Sequence, residues 1–147
     1  MSLYDRDFHA WAHEQAALAR ARSGNALDWE NVAEELEGLG KQQRSELRNR
    51  YEILLAHLLK WRLQPDRRSR SWRLTIAEQR RRIAEHLAEN PSLQRDEASI
   101  YATAYGFARY TAARQMRRAL ESTPAESPFT PAQALDPDFW PETASQA

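Results

Sequence analysis

The chain has 147 residues, of which 41% are hydrophobic and 29% charged, with a formal net charge of zero and no cysteine. This composition is typical of a folded globular protein, and the lack of cysteine excludes disulfides, thiolate metal sites and a cysteine nucleophile. Glycine and valine are scarce while the unbranched helix formers Ala, Leu, Glu, Arg and Gln dominate, so the fold class is predicted to be all-α.

Capping residues and glycines mark the first two predicted helices. One begins after Asp5, a good N-cap, and ends near Arg22 before a Ser-Gly-Asn stretch. The next begins at Asp28 with acidic residues in its first turn, where the helix dipole favours them. Gly38 and Gly40 predict that this second helix ends or bends there.

The third predicted helix, from about Gln42 to Leu63, is the most apolar. One stripe of large side chains is accompanied by Ile53, Ala56 and Leu59 in other directions. The stripe consists of Leu47, Tyr51, Leu54, Leu55 and Leu58. A helix that is apolar on most sides is surrounded by other helices, so this one is predicted to lie at the centre of the fold.

Two further helices and a proline-rich arm complete the predicted fold. The fourth helix opens near Ser69 or Ser71 and stops before Asn90-Pro91, and the fifth runs to about Leu120. The predicted buried stripes are Trp72, Ile76, Ile83 and Leu87 in the fourth helix, and Ile100, Ala104, Phe107 and Thr111 beside Tyr101, Tyr105, Ala112 and Met116 in the fifth.

Residues 123–147 hold five of the seven prolines, interleaved with aromatic residues. Thr130-Pro131 is typical of a helix start. We predict a single domain of residues 1–147: a compact bundle of five to six helices around the central apolar helix (residues 1–122), with this arm packed back on it through Phe129, Phe139 and Trp140.

The location predicted from the sequence is cytoplasmic. The N-terminus lacks the basic and apolar regions of a signal peptide, and the longest apolar run is too short to cross a bilayer. The absence of cysteine suits a reducing compartment. No membrane contact is expected.

Several motifs together resemble a known family. They are Tyr4-x-x-Asp7-Phe8-x-x-Trp11, Leu27-Asp28-Trp29-Glu30-Asn31, Glu34-Glu35-Leu36-Glu37, Leu54 to Trp61 with Gln64-Pro65, Arg68-Ser69-Arg70-Ser71-Trp72, and Pro128-Phe129 with Leu135-Asp136-Pro137-Asp138-Phe139. In this order and spacing the chain resembles the bacterial domain of unknown function family 29 over almost its whole length. The resemblance implies a compact helical fold and no particular activity.

Arg50 and His57 are the candidate catalytic residues. Seven residues make nearly two helical turns, so both lie on one helix face. The spacing resembles the Arg-x6-His motif of the HEPN superfamily of helical, metal-independent ribonucleases, with Tyr51 where that superfamily often has a small polar residue. Histidine moves protons near neutral pH, and arginine holds phosphate. A buried structural histidine and a ligand or protein contact are the alternatives.

Charge is strongly segregated despite the zero total. Residues 60–82 contain nine basic and two acidic residues, whereas residues 28–37 contain five acidic and no basic ones. The candidate binding residues of the basic segment are Trp61, Arg67, Arg68, Arg70 and Arg73. They suit an acidic protein surface, RNA or DNA, or salt bridges within the chain. Glu30, Glu34 and Glu37 form an acidic face that suits solvent, a divalent cation, or pairing with these arginines within the chain or across a dimer.

His9 and His13 lie one turn apart, but no third ligand at metal-site spacing accompanies them, so they are interpreted as surface residues and neither metal nor cofactor is predicted. No phosphate-binding glycine motif, nucleophile elbow or zinc-ligand set occurs. The favoured hypothesis is a non-enzymatic interaction module, homo-oligomeric and with an Arg-rich face. The alternative is a metal-independent ribonuclease or RNA-binding protein that uses Arg50 and His57.

Overall fold

The computed structural model describes residues 1–144, and within them the regular structure is helical, without a strand. The helices are α1 (Leu3–Arg6), α2 (Phe8–Arg20), α3 (Trp29–Leu63), α4 (Arg70–Glu89), α5 (Glu97–Met116) and α6 (Pro131–Leu135), joined by short 3₁₀ turns. The all-α prediction is therefore confirmed. Backbone contacts divide the chain into two compact units, Met1–Gln42 and the part from Gln43 onward. The predicted single domain stays a prediction.

The first unit contains α1, α2 and the first part of α3. The helix predicted after Asp5 in fact begins at Phe8, because Ser2 and Asp5 form a capping box around α1 and the Asp7 carboxylate accepts a hydrogen bond from the Ala10 N–H. Trp11 is the one side chain buried within this unit, and its indole N–H donates to Asp28 at 3.2 Å.

Helix α3 passes without interruption through the glycines that predict an end near residue 38. Neither Gly38 nor Gly40 has a positive φ angle. A helical glycine costs only about 1 kcal/mol, and the Glu, Leu, Lys and Gln residues around these two favour the helix. The predicted second and third helices are one helix. Of the two alternatives predicted at the glycines, an end is wrong and a bend stays a prediction.

The second unit is a helical bundle around the C-terminal part of α3. Leu47, Tyr51, Leu54, Leu55 and Leu58 are fully enclosed, as predicted for a central helix. They form one core with buried side chains of α4 and α5, including Ile76, Ile83, Ile100, Ala104 and Tyr105. The core position predicted at Phe107 is wrong, because this ring is 52% exposed on the outer side of α5.

The proline-rich segment packs on the second unit as predicted. Phe129 is 5% exposed and Ala134 fully buried, while Phe139 and Trp140 pack against the same core. Thr130 caps α6 with Gln133, with Pro131 at its first position. We call residues 123–144 the C-terminal arm; residues 145–147 of the predicted arm lie outside the described residues.

Candidate interaction surfaces

The first unit exposes an apolar stripe along α3. Trp29 and Leu36 are each 63% exposed and Leu39 is 53% exposed, whereas the unit buries only Trp11. With Val32 these residues have the spacing i, i+3, i+7, i+10, which places them on one face of the helix. We call this set, Trp29, Val32, Leu36 and Leu39, the α3 stripe. Sequence reasoning did not identify it, although its helical spacing can be read from the sequence.

A groove of about 560 Å³ lies beside the N-terminal end of the α3 stripe. Its lining is apolar and consists mainly of Ala16, Ala19, Leu27, Trp29 and Val32, with Gln15, Arg22 and Gly24 at its border. The Trp29 indole donates to the Gly24 carbonyl at 2.8 Å, which fixes the ring as one wall. The small alanines of α2 leave room between α2 and α3 for a large apolar side chain.

The other sides of this part of α3 carry the acidic residues. Glu35 accepts a hydrogen bond from the Tyr4 hydroxyl, which raises the pKa of Tyr4 to about 12. Glu30, Glu34 and Glu37 are exposed on a different side, and no ion pair found within residues 1–144 includes them. Their pairing with the Arg-rich segment stays a prediction.

In the second unit, part of the predicted Arg-rich face is occupied by the C-terminal arm. Trp61 is 4% exposed and its ring centroid lies 4.6 Å from that of Trp140. Arg68 and Arg73 lie over the Trp61 ring at 4.9 and 5.0 Å, and Arg68 also donates to Thr143. These three predicted binding residues are thus brought together, but as a stack that contacts the arm.

The remaining predicted binding residues, Arg67 and Arg70, are exposed. They flank the N-terminus of α4, whose first turn contains no acidic side chain. Leu74, 59% exposed, follows on the same helix. This part of the basic segment is accessible to an acidic partner.

Arg80 holds the C-terminal arm, a role that the sequence reasoning missed. Its side chain is 5% exposed and donates to the carbonyls of Ala134, Pro137 and Phe139 at 2.8, 3.4 and 2.7 Å. Burial lowers the pKa of its guanidinium. The signal was available, because Arg80 lies between the core residues Ile76 and Ile83 at helical spacing.

His57 and Arg50 are not brought together by a hydrogen bond. His57 is half-buried, and its Nδ1 lies 2.8 Å from the Ile53 carbonyl, to which it must donate. Burial lowers the pKa of His57, and the nearby Lys60 charge acts in the same direction. Arg50 donates to Glu46 at 2.9 and 3.2 Å, one turn back along α3, in the direction away from His57.

A second histidine lies close to Arg50 and was not singled out from the sequence. His86 is 5% exposed; its Nε2 donates to the Gln43 carbonyl at 2.8 Å, and its Nδ1 lies 3.5 Å from Glu46. The Nε2 hydrogen bond ties α4 to α3, and the Nδ1 contact with Glu46 is an ion pair only when the ring is protonated.

His9 and His13 of α2 have no third metal ligand beside them in the part of the chain that the structure describes. The rings of His9 and His13 are 4.5 Å apart, and both are exposed. Among residues 1–144, no group of three or more His, Cys, Asp or Glu side chains has the arrangement needed to hold a metal ion.

These observations define the class of protein: a small all-helical protein in which no described helix is long and apolar enough to cross a bilayer. The profile of the family described as "Domain of unknown function DUF29" matches residues 3–140, so the chain belongs to that family. No curated protein and no solved structure matches it.

Proposed function

We propose that this protein is a helical interaction module that self-associates through the first unit. The observation that carries the proposal is the α3 stripe, with Trp29, Leu36 and Leu39 more than half exposed in a unit of 42 residues that buries only Trp11. Units of about 40 residues usually need further stabilisation from oligomerisation, disulfides or metals. This chain has no cysteine, which leaves association as the route that its exposed apolar surface supports.

A second copy fits this surface because the stripe is self-complementary. Trp29 and Val32 border the groove at one end, and Leu36 and Leu39 protrude at the other end, about 15 Å away at 1.5 Å per residue. If two α3 helices pair antiparallel about a two-fold axis, the leucines of each copy enter the groove of the other. Such an isologous contact closes as a dimer.

Electrostatic repulsion acts against this contact. The first unit as a whole has eight acidic and four basic residues, a net charge of −4. Two such units repel each other at long range, and added salt should therefore strengthen the association by screening.

Sedimentation velocity on wild-type protein and on a Leu36→Glu, Leu39→Glu variant tests the proposal. We expect wild type to sediment as a dimer at micromolar concentration and the variant as a monomer, because two buried carboxylates cost several kcal/mol at an apolar contact. Leu74→Glu is the matched control, since Leu74 is an equally exposed leucine of α4. It should leave the dimer intact.

The proposal fails if wild type is monomeric, or if Leu74→Glu dissociates the dimer as well as the double variant does. Circular dichroism of each variant must match that of wild type, so that a loss of association is separated from a loss of folding. A dimer that weakens as salt is added would contradict the expected net repulsion between two first units.

The structure supports the acidic protein partner better than it supports the ribonuclease alternative. Binding of an acidic protein partner has support from the exposed Arg67 and Arg70. The ribonuclease alternative has less, because Arg50 is paired with Glu46 rather than presented beside His57. A homo-oligomer, RNA binding, a bacterial source and a cytoplasmic location all stay predictions.

A further inference from the structure

A cleft of about 600 Å³ lies in the second unit, between the last turn of α3 and the C-terminal arm. This volume is in the range of small-molecule sites. Arg62 of α3 lines it, together with Phe129, Phe139 and Trp140 of the arm. All residues that line the cleft belong to the second unit, so an inference about it does not depend on self-association through the first unit.

Arg62 differs from Arg68, Arg80 and Arg109 of this unit, whose side chains all have hydrogen-bond acceptors. Arg68 donates to a carbonyl and a hydroxyl, Arg80 to three carbonyls, and Arg109 to Thr123 and to Leu120. The Nε of Arg62 is enclosed and has no hydrogen-bond partner, and none of the ion pairs found in residues 1–144 includes this side chain. A half-buried guanidinium without an acceptor favours an oxyanion nearby.

Phe129, Phe139 and Trp140 form the aromatic wall of the cleft, whose lining is otherwise mostly polar. Phe129 is 5% exposed, and its ring packs edge-on against Phe139 with 6.0 Å between centroids. Trp140 is fixed by its stack with Trp61 and by Arg73 and Arg80. Because these contacts already cover much of the rings, the aromatic wall offers an apolar group only the part of its surface that lines the cleft, held in place by the core.

Two carboxylates, Asp138 and Glu142, also line the cleft and are exposed. They disfavour a ligand that carries only negative charge, and they favour one that also carries an ammonium group. We propose that the cleft binds a small zwitterion with an aromatic side chain, of the chemical class of an aromatic amino acid. Its carboxylate bonds to Arg62, its ammonium group lies toward Glu142 or Asp138, and its ring packs on the aromatic wall.

Isothermal titration calorimetry with three probes separates the parts of this proposal. L-Phenylalanine carries all three groups, 3-phenylpropionate lacks the ammonium group, and phenethylamine lacks the carboxylate. We expect L-phenylalanine to bind with the lowest Kd, 3-phenylpropionate to bind more weakly, and phenethylamine to bind most weakly. The proposal is overturned if none of the three probes shows saturable binding at concentrations up to about 10 mM. A Kd of about 10 mM corresponds to a binding free energy of about −3 kcal/mol.

Three variants assign the contacts. Arg62→Gln should raise the Kd for L-phenylalanine at least about tenfold, the effect expected for loss of a charge-assisted hydrogen bond. Glu142→Gln should reduce the preference for L-phenylalanine over 3-phenylpropionate, because it removes a partner of the ammonium group and also a carboxylate that repels the anionic 3-phenylpropionate. Arg67→Gln, a change at an exposed arginine outside the cleft, is the control and should bind as wild type does.

Equal binding to wild type and Arg62→Gln would place the ligand elsewhere and refute the proposal. The melting temperature of each variant shows whether it is folded. Arg62→Lys keeps the charge and provides a second variant if Arg62→Gln does not fold: it should bind more tightly than Arg62→Gln and more weakly than wild type, because lysine cannot form the bidentate contact.

Discussion

At the scale of single residues, His57 illustrates how a catalytic motif can be read from spacing without the geometry that catalysis needs. Its Nδ1 is used by a carbonyl of its own helix, and its ring is half-buried. The candidate phosphate-binding residue, Arg50, is directed to Glu46. If His57 were a general base beside a phosphate bound by Arg50, the Arg50 side chain would have to leave Glu46 and point in the opposite direction along α3, toward His57.

We therefore expect His57→Ala to have a small effect on stability. The change removes a partly buried ring and one hydrogen bond, so the free energy of unfolding should fall by about 1 kcal/mol, measured by urea denaturation. Chelator-treated wild-type protein should not cleave RNA. His13→Ala, at an exposed position, is the control. RNA cleavage by wild type that His57→Ala abolishes at unchanged stability would establish the ribonuclease hypothesis instead.

The same variant has a pH signature. Burial holds the pKa of His57 below its ordinary value of 6.5, so the unfolded chain binds the proton more tightly than the folded one. The stabilisation by neutral His57 is present above about pH 6.5 and is lost as the pH falls through the lowered pKa of the folded state. The stability of wild type should thus fall more steeply on acidification than that of His57→Ala, and parallel pH profiles would contradict this assignment.

At the scale of secondary-structure elements, the length of α3 is the main difference from the sequence prediction. Gly38 and Gly40 predict an end or a bend of the helix, yet one helix continues from Trp29 to Leu63. Glycine weakens a helix without removing any backbone hydrogen bond, whereas proline removes one. The two elements that end where predicted, α3 at Gln64-Pro65 and α4 at Asn90-Pro91, both precede a proline.

Gly38→Ala tests the continuity of α3. Nothing lies within 4 Å of a Cβ added at Gly38, so alanine should stabilise this part of the helix by roughly 1 kcal/mol. Hydrogen exchange of the neighbouring amides should slow by about fivefold. Gly106→Ala in α5, where a Cβ also meets nothing, provides the reference. Faster exchange after Gly38→Ala, with slower exchange after Gly106→Ala, would mean that the helix is interrupted at residue 38.

At the scale of the whole molecule, the C-terminal arm shows how a loop-like segment becomes part of a core. Arg80 donates hydrogen bonds to one carbonyl in the last turn of α6 and to two carbonyls of the non-helical residues after it. Tyr101 and Tyr105 donate to the carbonyls of Phe129 and Pro124 from the other side of the segment. Burial of these tyrosines raises the pKa of each to about 12, so they remain neutral donors at any ordinary pH.

Ending the chain after Ser122 should therefore destabilise the second unit strongly. The truncation removes Phe129 from the core, a loss of about 3–5 kcal/mol, and leaves the buried Arg80 without its acceptors. The melting temperature should fall by at least about 10 °C. Phe129→Ala alone should account for a large part of this drop. An unchanged melting temperature after truncation would show that the arm contributes nothing to stability.

The sequence by itself determined the fold class, the core of the second unit and the packing of the arm. These features follow from local composition and period: helix formers throughout, a helix apolar on most sides at residues 47–59, and aromatic residues that a free tail would not retain. The family could also be recognised, because its motifs extend along nearly the whole chain.

Only the tertiary structure decided what the charged residues contact. Arg67 and Arg80 are alike in sequence, but one is exposed while the other is enclosed by carbonyls more than 50 residues away. Likewise, only the structure shows that the α3 stripe is exposed and that the Nε of Arg62 has no hydrogen-bond partner. A flexible charged side chain has partners within reach in several directions, and its choice depends on long-range packing that no local period encodes.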